Sequence, residues 1–93
     1  MKVYTVQRQD KFYYDFSVLT INCGCFASIK AALQKAEDVY KKLCSEFEED
    51  MEENEDTVEI EEDPDAGYYS VAFGEEENYE VHLVTVDEWE VKE

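Results

Sequence analysis

Residues 29 to 51 read IKAALQKAEDVYKKLCSEFEEDM, and this stretch decides the fold. Its apolar side chains recur at intervals of three and four residues, which is the spacing of one face of an amphipathic helix. They are Ile29, Leu33, Ala36, Tyr40, Leu43, Phe47 and Met51. Ser28 precedes the stretch and belongs to the residue types that cap helix N-termini. The sequence therefore predicts one long helix from Ile29 to about Met51 or Glu53.

Two strands are predicted before this helix. Residues 2 to 8 alternate between the two faces of a strand, and residues 8 to 11 are typical of a turn. Residues 12 to 23 then form a longer strand with bulky side chains on both faces, which favours a central place in a sheet. Gly24 permits the bend that ends this strand.

Three more strands are predicted after the helix, over residues 57 to 62, 68 to 73 and 79 to 86, the last continued by Trp89 and Val91. In the first of them, Val58 and Ile60 are expected inward and Glu59 and Glu61 outward. Residues 63 to 67, Asp-Pro-Asp-Ala-Gly, predict a tight turn. The order ββαβββ predicts an α+β fold in a single domain, residues 1–93, with an antiparallel sheet of about five strands and the helix across one face.

Negative charge is concentrated in the second half of the chain. Residues 1 to 45 hold seven Lys or Arg against four Asp or Glu, a balance of +3, whereas residues 46 to 93 hold one Lys against 21 acids, a balance of -20. Eight of the eleven residues from Glu46 to Asp56 are carboxylates. Carboxylates near a helix C-terminus are unfavourable by roughly 0.3 to 1 kcal/mol each. Folding alone therefore does not account for this arrangement.

The acidic run has a charge density close to that of DNA. Eight carboxylates over eleven helical residues span about 16 Å, or about one charge per 2 Å, against about one per 1.7 Å along duplex DNA. This density predicts a non-enzymatic inhibitor that occupies the basic groove of a nucleic-acid-binding protein such as a nuclease. The alternative is a small protein-protein interaction or homodimerising module whose acidic face is merely solvated.

The candidate partner-binding residues are all carboxylates. They are Glu46, Glu48, Glu49, Asp50, Glu52, Glu53, Glu55, Asp56, Glu59, Glu61, Glu62, Glu75, Glu76 and Glu77. Because so acidic a surface repels phosphates and anionic lipids, neither direct nucleic-acid binding nor membrane binding is expected. No N-terminal run has the pattern of a signal peptide, so a cytoplasmic protein is expected.

Three segments resemble small acidic proteins of phages and mobile elements. They are Lys2-Val3-Tyr4-Thr5-Val6, the helix entry Phe26-Ala27-Ser28-x-x-x-Ala32, and the closing Val86-Asp87-Glu88-Trp89-Glu90-Val91, which flank the acidic middle. The resemblance implies a non-enzymatic accessory protein. Some proteins of this kind inhibit host nucleic-acid enzymes, as anti-CRISPR and anti-restriction proteins do, and the host is then a bacterium.

Other chemistry finds weak support in the sequence. Cys23, Cys25, Cys44 and His82 lack the ligand spacing of a zinc site, and three cysteines do not predict a disulfide framework. Residues 61 to 67 depart from a calcium loop because the glycine comes one place late and Pro64 intrudes. Beside Glu80, His82 has no third group to orient it as a catalytic base, so it is expected to be structural or solvent-facing. No cofactor, metal or enzymatic activity is predicted.

The aromatic residues of the second predicted strand leave a further question. Tyr13 and Tyr14 belong to a set larger than one helix-covered face can hide. Either some of these rings lie at a protein interface or homodimer contact, or the core wraps around both faces of the sheet.

Overall fold

The computed structural model describes residues 1–13, 15–48, 59–74 and 79–92. Its elements are β1 (Lys2–Phe12), β2 (Ser17–Phe26), α1 (Ile29–Glu46), β3 (Glu59–Asp63), β4 (Tyr68–Phe73) and β5 (Glu80–Glu90). The strands form one antiparallel sheet in the order β2-β1-β5-β4-β3, and α1 packs across one face. The α+β prediction and its element order are confirmed.

The core lies between α1 and the sheet. The buried helix residues are Ala32, Ala36, Tyr40 and Leu43, and they meet Val6, Tyr69, Val71, Phe73 and Val84 of the sheet. Ala36, Tyr40 and Leu43 are buried as the predicted stripe requires, whereas Ala32 is buried rather than Leu33, and Ile29 is 44% exposed. The Tyr40 ring stacks on the Tyr69 ring with centroids 4.5 Å apart. Full burial of a large apolar side chain contributes about 1.5 to 3 kcal/mol, so this face holds the helix on the sheet.

The helix begins where predicted. The Ser28 hydroxyl accepts a hydrogen bond from the Ala31 backbone N–H at 3.3 Å, as an N-cap does. α1 has 18 residues and ends at Glu46, and the predicted end at Met51 or Glu53 lies outside the described residues. Phe47 leaves helical geometry at φ -110° and ψ 15°, and its ring packs against Phe73, with centroids 5.8 Å apart.

The first hairpin turns later than predicted. β1 runs on to Phe12 and β2 begins at Ser17, so the chain reverses between these two residues rather than at residues 8 to 11. The Asp15 carboxylate accepts hydrogen bonds from both the backbone N–H and the hydroxyl of Ser17, at 3.0 and 2.6 Å, and this closes the turn. The predicted central position of the second strand is also wrong. β2 lies at an edge of the sheet and pairs with β1 alone within the described residues.

The second hairpin agrees better with its prediction. The Asp63 to Gly67 turn and the β4 strand lie where the sequence predicts them, with Gly67 at φ +66°. Ile60 faces the same side of the sheet as Val71 but is 51% exposed, so its predicted inward burial is wrong. The reason is that α1 packs chiefly over β1, β2 and β5 and does not cover the β3 edge. Val58 lies outside the described residues.

Candidate partner-binding surface

The described part of the acidic surface centres on β3. All five residues of this edge strand are exposed, and four of them are carboxylates. Glu59 and Glu61 pair with Ala72 and Ser70 on the face of the sheet opposite the helix, where their Cα atoms are about 6.7 Å apart. Glu62 pairs with Tyr69 and faces the helix side. The strand therefore presents carboxylates to both sides of its edge.

Carboxylates of this surface lack compensating cations. Within the described part of the chain, Glu48, Glu59 and Glu61 form no ion pair with Lys, Arg or His. The ion pairs to Lys and Arg lie elsewhere, joining Arg8 to Asp10 and Glu46, Lys2 to Glu88 and Lys41 to Glu37. An unpaired row of like charges produces a negative potential that extends about a Debye length, near 10 Å at 0.1 M salt.

Tyr40 anchors this edge strand to the core. Its hydroxyl donates a hydrogen bond to the Glu62 carboxylate at 2.6 Å. Burial, and then this hydrogen bond, raise the pKa of Tyr40 well above its ordinary value. The hydroxyl therefore keeps its proton at neutral pH and holds β3 in place from the helix side.

An aromatic pair lies beside Glu59. The rings of Tyr13 and Tyr79 have centroids 5.4 Å apart, and the Tyr13 side belongs to an exposed turn. Burial, followed by the nearby Glu59 charge, raises the pKa of Tyr79. Rings next to carboxylates supply the desolvated contacts that charge alone lacks at an interface.

Glu46 belongs to a different environment from the β3 carboxylates. The Arg8 guanidinium donates to Glu46 through Nη1 and to Asp10 through Nε, each at 3.1 Å. Burial opposes this cation, but the two carboxylates more than offset it and raise the pKa of Arg8. Glu46 is thus compensated and contributes less negative potential than the β3 residues do.

The Arg8 contact leads into a buried polar chain that the sequence did not reveal. His82 is fully buried, with Nδ1 2.6 Å from an Asp10 oxygen and Nε2 2.9 Å from a Glu80 oxygen. Both ring nitrogens thus contact carboxylates within the protein. Because the ring is fully buried as well, neither nitrogen is accessible to a substrate for general-base chemistry. His82 is structural rather than solvent-facing.

The strand alternation in the sequence does indicate that the members of this buried polar network share the core face of the sheet. Arg8 and Asp10 fall on the same face of β1 as the buried Val6, and His82 falls on the core face of β5 with Val84. Their mutual contact depends on the β1–β5 register, which places Asp10 opposite His82. Sequence spacing alone does not give that register.

The remaining predicted site residues lie outside the described part. They are Glu49, Asp50, Glu52, Glu53, Glu55, Asp56, Glu75, Glu76 and Glu77.

The described residues hold neither a metal-binding cluster nor a membrane-spanning helix. No three His, Cys, Asp or Glu side chains there converge to hold a metal ion, and Cys23, Cys25 and Cys44 are free thiols. No helix among these residues combines the length and apolar character needed to cross a membrane. Comparison of the chain with protein-family models, curated proteins and solved structures finds no match.

Proposed function

We propose that this protein is a non-enzymatic inhibitor that imitates nucleic-acid charge and occupies the basic groove of a DNA- or RNA-binding protein. A phage-defence nuclease is the kind of partner expected, which makes the protein anti-CRISPR-like and places it in the cytoplasm of a bacterial host. The observation that supports this proposal is β3, an exposed edge strand with four carboxylates in five residues. Its Glu59 and Glu61 have no cationic partner among the described residues.

The proposed contact has a defined physical basis. A groove that binds nucleic acid carries Lys and Arg side chains placed for phosphates, and each contact releases counterions when it forms. Carboxylates about 6.7 Å apart on one strand face offer a comparable row of anionic groups. Long-range attraction accelerates the encounter, so binding is fast at low salt and weakens steeply as salt rises.

A competition assay with charge-matched variants tests the proposal. The β3 variant carries Glu59→Lys and Glu61→Lys, and the control carries Asp87→Lys and Glu90→Lys, two exposed residues at the far end of β5. Both variants change the net charge from -17 to -13. The readout is the inhibition of DNA binding and cleavage by a panel of phage-defence nucleases at low salt.

The β3 variant is expected to lose inhibition by roughly tenfold or more, since reversed rim charges slow association and repel the groove. The control variant is expected to stay near wild type. Undiminished inhibition by the β3 variant contradicts the proposed contact. An equal loss in both variants indicates that total charge, and not this edge, is responsible.

A second candidate function is a protein-protein interaction module whose acidic face is only solvated. The observation that favours it is the exposed apolar surface around the first hairpin, where Phe16 is 90% exposed and Tyr13 48% exposed. Under this hypothesis the β3 reversal is harmless, and Tyr13→Ser dissociates the complex. The β3 reversal and Tyr13→Ser therefore distinguish the two candidate functions.

A further inference from the structure

The two edges of the sheet differ in how they are protected. β2 is ten residues long and contains no charged residue and no proline. Its residues 17 to 22 are all exposed, and among them Val18 is 59%, Leu19 54% and Ile21 40% exposed. An edge strand presents a row of unpaired backbone N–H and C=O groups, and proteins commonly block such rows with charge, proline or short length. β2 has none of these protections.

The opposite edge is protected by two of them. β3 has only five residues, and four are carboxylates. A second copy that approached along β3 would place like charges about 5 Å apart, which is the spacing of neighbouring strands. Such a contact is strongly repulsive. Of the two sheet edges that the described residues form, β2 is thus the one open to backbone pairing with another copy of this chain.

We propose that β2 pairs antiparallel with β2 of a second copy about a two-fold axis and joins the two sheets into one of ten strands. An antiparallel strand pair of identical sequence is self-complementary, so each residue meets an uncharged residue of the other copy. Residues 17 to 22 hold a regular register with β1, and the register shifts only beyond them, between Val6 and Gln7 of β1. This regular segment supplies about six interchain hydrogen bonds.

The distribution of charge selects a second copy in this orientation. β2 lies in the half of the chain whose balance is +3, whereas β3 lies in the half with -20. In a ten-stranded sheet joined at β2, the two β3 edges are nine strand spacings apart, or about 43 Å. That distance is about four Debye lengths at 0.1 M salt, so repulsion between the acidic edges is screened.

The dimer also bears on binding. If the proposed function holds, the two acidic edges point away from each other and each is accessible to a basic groove, which makes the inhibitor bivalent.

Sedimentation equilibrium in a thiol reductant tests the pairing, since the reductant prevents disulfides between exposed Cys25 thiols. Wild type is expected at twice the chain mass. Leu19→Lys is expected to raise the dimer dissociation constant by at least roughly 100-fold, because it places like charges together at the seam. The matched control is Ile60→Lys, which adds the same charge at a residue of similar exposure, 51% against 54%, on the opposite edge. The control is expected to stay dimeric.

Circular dichroism of each variant shows whether it folds. If Leu19→Lys does not fold, Thr20→Lys replaces it, because Thr20 is also exposed but lies on the other face of β2. A monomeric wild type overturns the proposal. So does a folded Leu19→Lys variant that stays dimeric, or an Ile60→Lys variant that dissociates equally.

Salt separates this inference from the proposed function. Association of two negatively charged copies is expected to strengthen as salt rises, whereas capture by a basic groove weakens. The β3 reversal Glu59→Lys with Glu61→Lys is expected to leave the dimer intact. A monomer that still inhibits a nuclease overturns only the dimer, and a dimer without inhibition overturns only the proposed function.

Discussion

Phe16 combines two unfavourable features at one residue. Its backbone has φ +58°, in the left-handed region, and its side chain is 90% exposed. A residue other than glycine in this region costs on the order of 1 to 3 kcal/mol, and burial of this ring does not offset that cost. Asn tolerates the left-handed region better than Phe does. The backbone of this turn is therefore strained at Phe16, where the exposed phenyl ring gains little from packing.

We expect Phe16→Asn to increase the free energy of unfolding by about 0.5 to 1 kcal/mol. Urea denaturation followed by circular dichroism measures the change. Tyr13→Asn in the same turn is the control, and it is expected to lose stability because the Tyr13 ring contacts Tyr79. A Phe16→Asn variant less stable than wild type contradicts the strain argument.

Tyr40 gives the protein a sensitivity to alkaline pH. Burial and the hydrogen bond to Glu62 raise its pKa in the folded state, while the unfolded chain keeps the ordinary value of about 10. The folded state thus holds the proton more tightly. Its contribution to stability is complete below about pH 10 and is lost as pH rises through the raised pKa. The pKa of Tyr69 is raised as well, chiefly by burial, and adds in the same direction.

We expect the contribution of Tyr40 to the free energy of unfolding to be constant between about pH 7 and 9 and to fall above about pH 10. Tyr40→Phe is expected to cost about 1 kcal/mol at neutral pH, through loss of the hydrogen bond, and to make the alkaline fall shallower. Urea denaturation over this pH range gives both quantities. An equally steep fall in the variant means that Tyr40 is not the responsible group.

At the scale of elements, the polar chain Glu46–Arg8–Asp10–His82–Glu80 ties α1 to β1 and β5. His82 also packs against aromatic rings, since its ring forms a three-membered cluster with Phe47 and Phe73, with centroids 4.5 and 5.5 Å away. Every buried side-chain N or O atom among the described residues has a partner. Removal of His82 deprives both Asp10 and Glu80 of a hydrogen-bond partner, whereas removal of the Glu46 carboxylate leaves the bonds of Asp10 to Arg8 and His82 in place.

We expect His82→Leu to destabilise the fold by about 2 to 3 kcal/mol, because Asp10 and Glu80 each lose a hydrogen-bond partner and the leucine does not replace the contacts of the imidazole ring with Phe47 and Phe73. Glu46→Gln at the exposed end is the control and is expected to cost less than about 1 kcal/mol. Thermal unfolding followed by circular dichroism compares the two. If both variants lose the same stability, the buried part of the polar network does not contribute more to stability than its exposed end.

The same elements indicate how far the sequence predicts the fold. The helical spacing, the Ser28 cap and the Asp63 to Gly67 turn follow from local rules and are confirmed. The end of α1 does not follow from them, because Phe47 leaves the helix to reach Phe73 and His82 on distant strands. The edge position of β2 likewise does not follow from local rules, because it depends on which strands pair with each other. Bulky residues on both faces indicated burial, yet Val18, Leu19 and Ile21 are exposed.

At the scale of the whole molecule, the candidate site was predicted in part. Glu59 and Glu61 lie on an exposed strand as the alternation indicated, whereas the ion pair of Glu46 with Arg8 depends on the fold. Residues 1 to 45, which form β1, β2 and most of α1, have a balance of +3, whereas residues 46 to 93, which include β3, β4 and β5, have a balance of -20. Such a surplus of negative charge repels itself, and among the described residues Glu59 and Glu61 of β3 have no cationic partner to reduce this repulsion.

We therefore expect salt to stabilise the folded protein, because screening reduces repulsion that folding concentrates. The melting temperature, measured by circular dichroism, should rise with sodium chloride. Glu59→Lys with Glu61→Lys should raise the melting temperature at low salt and flatten its rise more than Asp87→Lys with Glu90→Lys does, although both pairs remove the same net charge. Identical salt profiles for the two variants imply that repulsion is spread over the molecule. If the melting temperature of the β3 variant rises more steeply with salt, Glu59 and Glu61 have stabilising partners. That result contradicts the description of β3 as an acidic edge without compensating cations.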